Sequence, residues 1–232
     1  RFEDARGRYI EYAKSTIGNQ SLSGLKIVLD CANGASYLIG PWIFSELGVD
    51  VIKTAVDPDG FNINNDCGAL HPEAISGLVR EHGADAGIAF DGDADRVVFC
   101  DSEGEVVDGD RILAMCALDY QRRGCLSHHT LVVTSLSNLG LHEAMKAAGI
   151  GVVTTGVGDR HVIEKMRSDE YNLGGEKSGH IIFMDHATTG DGIISALQVL
   201  KLMKESGKPL RELAACMDEF PQKLISLVVR EK

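Results

Sequence analysis

The sequence predicts an α/β fold made of two tandem, similar domains, each with a mixed β-sheet flanked by helices. Short β-branched runs alternate with segments of helical period, and a glycine follows several of those segments, where helices commonly end. The order strand, turn, helix, glycine, strand occurs twice, at residues 25–52 and again at 130–153. Any two strand–helix–strand units look alike, so this pattern alone leaves a coincidence open.

The first domain is assigned to residues 1–125. Pro72 suits the first turn of a helix, and the polar stretch 101–104 suits a hairpin turn between two strands. Gly48 follows a helical segment at the position where a left-handed residue ends a helix. The predicted helices cover 2–17, 37–47, 72–82 and 109–122, and the predicted strands cover 25–30, 49–52, 85–90, 96–100 and 105–107.

The second domain is assigned to residues 126–232, after a boundary in the stretch 122–127. Its predicted strands cover 130–134, 150–153 and 181–183, and its predicted helices cover 141–148, 160–167, 192–204 and 210–217. The helix at 192–204 has an amphipathic pattern. The apolar run at 224–229 predicts one more strand without a partner, and the chain starts without Met, so we expect a piece of a longer chain.

The composition excludes several classes of protein. The chain has 232 residues, and Lys+Arg 23 against Asp+Glu 34 gives a net charge of −11, which does not suit binding to nucleic acid or to an anionic membrane. No apolar run reaches the ~18 residues of a membrane span, and no signal-peptide pattern occurs. The six cysteines form no Cys-x-x-Cys pair, which indicates free thiols in a reducing compartment and predicts a cytoplasmic protein.

The most informative segment directly follows the predicted strand 85–90 and is Asp91-Gly92-Asp93-Ala94-Asp95-Arg96. Ligands of open α/β sheets gather at the carboxyl ends of strands. Three carboxylates this close repel one another unless a cation lies among them, and a helix or a straight strand would hold them too far apart to share one ion. A curled loop, which Gly92 and Ala94 permit, allows oxygen ligation at roughly 2.1 Å, and Mg²⁺ fits best.

The acidic segment has two other possible interpretations. A calcium EF-hand needs Gly and Glu where this chain has Arg96 and Ser102, so it is excluded. A solvated acidic turn stays open. Because three carboxylates leave coordination positions for a substrate phosphate, the metal interpretation indicates phosphoryl chemistry.

Two glycine-containing segments are candidate binding loops. The segment 174–180, Gly-Gly-Glu-Lys-Ser-Gly-His, has hydroxyl-binding side chains between glycines that let the backbone approach a ligand, as in a sugar site, although a plain polar turn explains it equally well. It is not a Walker A loop, because Glu176 stands where Gly must precede Lys-Ser. The segment 155–160 joins a strand to a helix, and the alternative there is a plain turn in which Asp159 caps the helix.

Together these segments resemble the central part of the α-D-phosphohexomutase family. The segment 91–96 is similar to the family's metal-binding loop, and 176–180 is similar to its sugar-binding loop. Four further segments resemble in particular the family branch that acts on glucosamine phosphates: 30–35, 156–160, 188–192 and 220–222. Lys177 departs from that branch, which usually has Gln there, while the phosphomannomutases usually have Met.

The resemblance covers domains two and three of a four-domain enzyme, so the flanking domains one and four are missing from this chain. Domain one would bring a phosphorylated serine and domain four a phosphate-binding loop, whereas Ser127-His128-His129 lacks the Asn-Pro of the family's serine loop. We therefore expect an isomerase acting on a hexosamine phosphate through a bisphosphorylated sugar, and we expect the 232-residue chain alone to be inactive. The resemblance leaves open whether two copies form a homodimer.

The resemblance also implies a role for particular residues. Mg²⁺ would be held by Asp91, Asp93 and Asp95, with Arg96 supporting catalysis through its positive charge. The expected substrate-binding residues are Glu176, Lys177, Ser178, His180, Asp159 and Arg160, of which the last two would face the acidic segment across a cleft. Three alternatives stay open: phosphomannomutase or phosphoglucomutase activity in the same family, a non-catalytic sugar-phosphate-binding module, and a phosphatase with a nucleophilic aspartate.

Overall fold

Two mixed β-sheets organise the protein, whose computed structural model describes residues 4–223. The strands of the first sheet, which lie in the order β2-β1-β3-β4-β5, are β1 (Lys26–Asp30), β2 (Asp50–Thr54), β3 (Ala86–Phe90), β4 (Val97–Asp101) and β5 (Val106–Val107). Strand β1 pairs in parallel with β2 and β3, whereas β4 runs antiparallel to β3 and β5. Every residue of β3 and β4 is buried, which explains their nearly continuous apolar sequences.

The second sheet repeats this arrangement with one strand fewer. Its strands, in the order β7-β6-β8-β9, are β6 (Thr130–Thr134), β7 (Gly151–Thr155), β8 (Leu173–Gly175) and β9 (Ile181–Phe183). Strand β6 is parallel to β7 and β8, and β9 is antiparallel to β8. The predicted fold, two similar α/β units with mixed sheets, is confirmed.

Strand β8 is not predicted from the sequence, because Gly174 and Gly175 lack the side chains that are typical of a strand. The structure shows why glycine stands at both positions. A Cβ on Gly174 would lie 2.7 Å from Met166 Sδ, and a Cβ on Gly175 would lie 2.4 Å from the carbonyl oxygen of His180. These two glycines therefore make room for neighbouring protein atoms, and the expectation that they let the backbone approach a ligand stays a prediction.

Eight α-helices accompany the sheets in the described part of the chain. They are α1 (Ala5–Ser15), α2 (Ile39–Glu46), α3 (Glu73–His82), α4 (Gly109–Arg122), α5 (Leu139–Ala147), α6 (Asp159–Ser168), α7 (Gly192–Ser206) and α8 (Leu210–Ala214). Gly48 and Gly149 follow α2 and α5 with φ of 86° and 70°, as the helix-ending pattern predicts. The strand predicted at 224–229 lies outside the described residues. No described helix combines the length and apolarity needed to cross a membrane.

Helix α7 differs from its predicted amphipathic character. Residues 192–200 are all buried, and only the last turn of the helix is exposed. The helix packs against α1, β3 and β4 of the first unit and against α4 and β9 of the second. An amphipathic helix has one face in water, whereas α7 is covered from both sides because it lies between the two sheets.

Helix α4 packs on the second sheet rather than on the first. Its neighbours are α5, α7, α8 and β8, all of which come later in the chain. One hydrophobic core includes residues of both units, among them Phe90 and Leu173. The boundary at 125/126 stays a prediction, and these contacts lead us to propose a boundary ahead of α4 instead.

Candidate metal and substrate site

The acidic loop (residues 91–96) begins where β3 ends, and β3 pairs in parallel with β1. Ala94 has a left-handed backbone with φ of 63°, which turns the chain between Asp93 and Asp95. Gly92 is small for a different reason, because a Cβ there would lie 2.7 Å from Ile63 Cδ1. The loop is therefore curled, as the spacing of its carboxylates predicts.

The three carboxylates of the acidic loop converge. One ligand atom from each of Asp91, Asp93 and Asp95 lies within 4.8 Å of the others. Asp91 is buried, and its burial, together with the charges of Asp95 and Asp93, raises its pKa to about 6. The Oδ1 atom of Asp95 is buried and has no hydrogen-bond partner in the described part of the chain. Three carboxylates that converge in this way, one of them buried, are stabilised by a cation among them.

Arg96 supplies part of that positive charge. Its Nε atom lies 3.7 Å from Asp91 Oδ2 and 3.8 Å from Asp95 Oδ1, and its backbone N–H donates to Asp91 Oδ1 at 3.2 Å. Both ion-pair distances exceed the length of a hydrogen bond, so Arg96 compensates the negative charge of the two carboxylates only in part. An all-oxygen donor set with an unpartnered buried oxygen fits Mg²⁺. The residues thus fit the expected ion, and its binding stays a prediction.

Two neighbouring loops support the acidic loop, in a role that is not predicted from the sequence. Asp30, at the end of β1, accepts hydrogen bonds from the amides of Ala32 at 2.8 Å and Gly68 at 2.9 Å, and burial raises its pKa. The amide of Ala35 donates to the carbonyl oxygen of Gly92 at 2.8 Å. An aspartate at a strand end, directly before a turn, is the sequence signal that points to such a brace.

The Glu176 loop (residues 174–180) reaches from the second sheet to the first unit. It is a tight turn in which the amide of Glu176 donates to the carbonyl of His180, and the amide of Gly179 to the carbonyl of Glu176, both at 3.0 Å. The amide of Val97 donates to the carbonyl of Gly179 at 3.0 Å. A Cβ on Gly179 would lie 2.3 Å from Val97 O. The loop therefore lies directly against β4, one residue after the acidic loop.

Lys177 is held by carboxylates. Its Nζ atom lies 3.2 Å from Glu219 Oε1 and 3.4 Å from Asp108 Oδ2. Glu219 is also 3.8 Å from the guanidinium of Arg111, so the loop is tied to the segment that follows α8. Ser178 is exposed. The role of Lys177 and Ser178 in substrate binding stays a prediction.

The Gly158 turn (residues 155–160) is tied to the Glu176 loop, since Glu176 Oε1 accepts the amide of Gly158 at 3.1 Å. Helix α6 begins at Asp159 without a side-chain cap, so the alternative in which Asp159 caps the helix is wrong. Arg160 Nε donates to Glu164 Oε1 at 2.7 Å. Asp159 and Arg160 are exposed, and within residues 4–223 no hydrogen bond or ion pair joins them to the acidic loop. Their binding role stays a prediction.

His180 connects the Glu176 loop to the acidic loop. The residue is 2% exposed, its Nδ1 lies 3.1 Å from Asp95 Oδ2, and its Nε2 accepts the amide of Gly190 at 3.1 Å. The amide of Gly192, at the start of α7, donates to the carbonyl of Ala94 at 2.9 Å. The acidic loop is thus braced by loops of its own unit and by His180 and α7.

Comparison with known proteins identifies this pair of units. The model of the phosphoglucomutase/phosphomannomutase α/β/α domain II matches residues 7–104, and that of domain III matches residues 108–220. The chain belongs to the phosphoglucomutase/phosphomannomutase family. The two matched ranges correspond to the two sheets and place α4 with the second.

Relatives of this family member include curated phosphoglucosamine mutases. That of Citrifermentans bemidjiense is 57% identical over 100% of the chain and 51% of the relative, and that of Geobacter sp. strain M21 is 58% identical with the same coverage. The chain spans about half the length of the curated relatives it matches.

Solved structures of the family have the same fold. A phosphoglucomutase/phosphomannomutase family protein of Burkholderia thailandensis superposes with a TM-score of 0.81 at 25% identity, over 91% of this chain and 46% of that one. The N-acetylphosphoglucosamine mutase of Aspergillus fumigatus, in complex with GlcNAc-6P and magnesium, gives 0.78 at 20% identity, over 99% and 53%. The second likeness supports the fold alone.

Proposed function

We propose that this chain forms the metal-binding and sugar-binding centre of a phosphoglucosamine mutase, an isomerase that interconverts glucosamine 6-phosphate and glucosamine 1-phosphate. The observation that carries the proposal is the contact between two loops from different units. His180 of the Glu176 loop lies 3.1 Å from Asp95 of the acidic loop. Groups suited to a metal ion and groups suited to sugar hydroxyls therefore lie side by side. The identity of 57% to a curated phosphoglucosamine mutase supports the choice of sugar.

The acidic loop would serve phosphoryl transfer. Asp91, Asp93 and Asp95 would hold Mg²⁺ through their oxygens, and the bound ion would neutralise negative charge on a phosphoryl group during transfer. The side chain of Arg96 is 41% exposed beside these carboxylates. We infer that it binds a phosphate oxygen, since a planar guanidinium matches phosphate geometry.

The Glu176 loop would bind and orient the sugar. The carboxylate of Glu176 accepts a hydrogen bond from the amide of Gly158, which restricts its orientation. The carboxylate would then accept a second hydrogen bond from a sugar hydroxyl. Ser178, exposed at the tip of the loop, would donate to another hydroxyl. Lys177 would reach a substrate only by leaving Asp108 and Glu219. Asp159 and Arg160 would approach from the exposed start of α6.

Turnover would require parts that the family resemblance assigns to domains one and four, a phosphoserine and a phosphate-binding loop. We therefore propose that the 232-residue chain alone does not interconvert sugar phosphates. The described cysteines are all free thiols, which supports the proposal of a cytoplasmic protein. Formation of a homodimer stays an open proposal.

A phosphorus NMR assay tests this function. The 232-residue chain and a longer protein that contains it are incubated with Mg²⁺ and with the 6-phosphates of glucosamine, mannose and glucose. We expect the longer protein to convert glucosamine phosphate fastest and the chain alone to convert none. A preference for mannose or glucose would assign another branch of the family. Inorganic phosphate released by the chain alone would instead favour the phosphatase alternative. Isomerisation by the chain alone would refute the proposal that turnover requires domains one and four.

A further inference from the structure

We propose that His180 is a positioning residue for the metal ligand Asp95, and that it does not bind the sugar as the family resemblance implies. The inference rests on the proposed metal site at the acidic loop. It concerns an imidazole of the second unit that contacts the acidic loop of the first unit.

Both ring nitrogens of His180 are already engaged by protein. The backbone N–H of Gly190 donates to Nε2 at 3.1 Å, so Nε2 is an acceptor and the ring proton lies on Nδ1. Nδ1 lies 3.1 Å from Asp95 Oδ2 and therefore donates to that carboxylate. A sugar hydroxyl would have to displace one of these partners, and the residue is only 2% exposed.

The ring is also fixed in position by packing. A Cβ on Gly190 would lie 2.5 Å from both Cε1 and Nε2 of His180, so the backbone of Gly190 is in close contact with the ring. The carbonyl of His180 accepts the amide of Glu176 at 3.0 Å, which fixes the backbone from which the ring projects. The imidazole therefore has little freedom to turn towards a ligand.

This contact gives different roles to the two oxygens of Asp95. Oδ2 accepts a hydrogen bond from His180 Nδ1–H, whereas Oδ1 is buried, has no hydrogen-bond partner within residues 4–223 and lies 3.8 Å from Arg96 Nε. A ligating carboxylate that is hydrogen-bonded through one oxygen presents the other in a fixed direction, and removing such an outer partner typically lowers metal affinity about 10–100-fold. Because His180 ends the Glu176 loop, a displacement of that loop would also displace a metal ligand.

Manganese binding to the whole 232-residue chain tests the proposal, with bound Mn²⁺ measured by electron paramagnetic resonance. Asn at position 180 places its amide nitrogen where Nδ1 lies, whereas Gln reaches the Nε2 position and cannot restore the donor to Asp95. We expect His180→Ala and His180→Gln to weaken Mn²⁺ binding at least about tenfold, and His180→Asn to stay within about threefold of the unaltered chain. His186→Ala, at a half-buried histidine of the same unit, is the matched control and should leave the affinity unchanged.

A second measurement needs no metal ion. Nitrogen-15 NMR of the imidazole should show a protonated Nδ1 and an unprotonated Nε2 on His180, with a slowly exchanging Nδ1 proton that is lost in Asp95→Ala. The proposal is overturned by Nε2 protonation, or by equal Mn²⁺ affinities of the Ala and Asn variants once circular dichroism shows both to be folded. Absence of Mn²⁺ binding to the unaltered chain would refute the metal site itself, and the NMR result would still decide the contact with Asp95.

Discussion

Replacing Gly179 by alanine tests how the Glu176 loop docks on the first unit. Gly179 has φ of 94°, and a Cβ there would lie 2.3 Å from the carbonyl oxygen of Val97. Its own carbonyl accepts the amide of Val97 at 3.0 Å. Alanine at this position would therefore impose a strained backbone and a clash between the two units at once.

The matched control is Gly60→Ala, because Gly60 has φ of 92° and no atom lies within 4 Å of an added Cβ. Both variants carry the left-handed backbone cost of roughly 1–2 kcal/mol. Gly179→Ala adds overpacking of about 1–3 kcal/mol and the loss of a hydrogen bond worth about 1 kcal/mol. We expect it to lose about 2–4 kcal/mol more than the control, which corresponds to roughly 5–15 °C in Tm.

Urea and thermal unfolding followed by circular dichroism measure the two variants against the unaltered chain. The expected result is a clearly lower midpoint for Gly179→Ala than for Gly60→Ala. Equal losses of stability would refute the reasoning, because they would show that the Cβ of residue 179 meets no obstacle and that the Glu176 loop does not lie against β4.

Three other substitutions test the acidic loop and its neighbour. Ala94→Gly removes the strain of an alanine in the left-handed region, with φ of 63°. Urea unfolding should therefore show a gain in unfolding free energy of up to about 1 kcal/mol, and a lower unfolding free energy would contradict the strain. Asp91→Asn removes a buried charge whose pKa is raised to about 6, so the chain in EDTA should gain about 1–2 kcal/mol and Mn²⁺ should no longer raise its Tm. An undiminished response to Mn²⁺ would contradict the metal assignment. Lys177→Gln breaks ion pairs to Asp108 and Glu219 at a side chain that is 32% exposed. The variant should therefore lose less than about 1 kcal/mol of unfolding free energy at low salt, and the loss should shrink in high salt. A larger, salt-independent loss would show that Lys177 stabilises the fold in another way.

Local sequence signals predict most of the secondary structure. The apolar runs at 86–90 and 130–134 form β3 and β6, and Gly48 and Gly149 follow the helices that they were expected to end. Strand β8 escapes prediction because the close packing of neighbouring atoms requires glycine at positions 174 and 175, and glycine has a low strand propensity. The burial of α7 on both sides, up to its exposed last turn, escapes prediction because it depends on elements of both units, which a local window does not include.

The candidate site also combines features that the sequence predicts with features that it does not. Three carboxylates within one short loop are visible in the sequence, and the structure brings them together. The partners of Lys177 and His180 are not visible, since Glu219 lies 42 residues and Asp95 lies 85 residues away along the chain. The brace formed by Asp30 also depends on a distant loop, at Gly68. Contacts between the units therefore decide what the Glu176 loop does, and no local pattern contains them.

Paramagnetic broadening of amide signals by Mn²⁺ tests most directly whether the acidic loop and the Glu176 loop form one site. The probes are Gly179, which contacts Val97 beside the acidic loop, and Gly48, which precedes β2 at the opposite end of the first sheet. If the proposed site is correct, Mn²⁺ added to the whole chain broadens the Gly179 amide at the lowest concentrations and leaves that of Gly48 sharp. Bound Mn²⁺ that spares Gly179, or that broadens both amides equally, would contradict it.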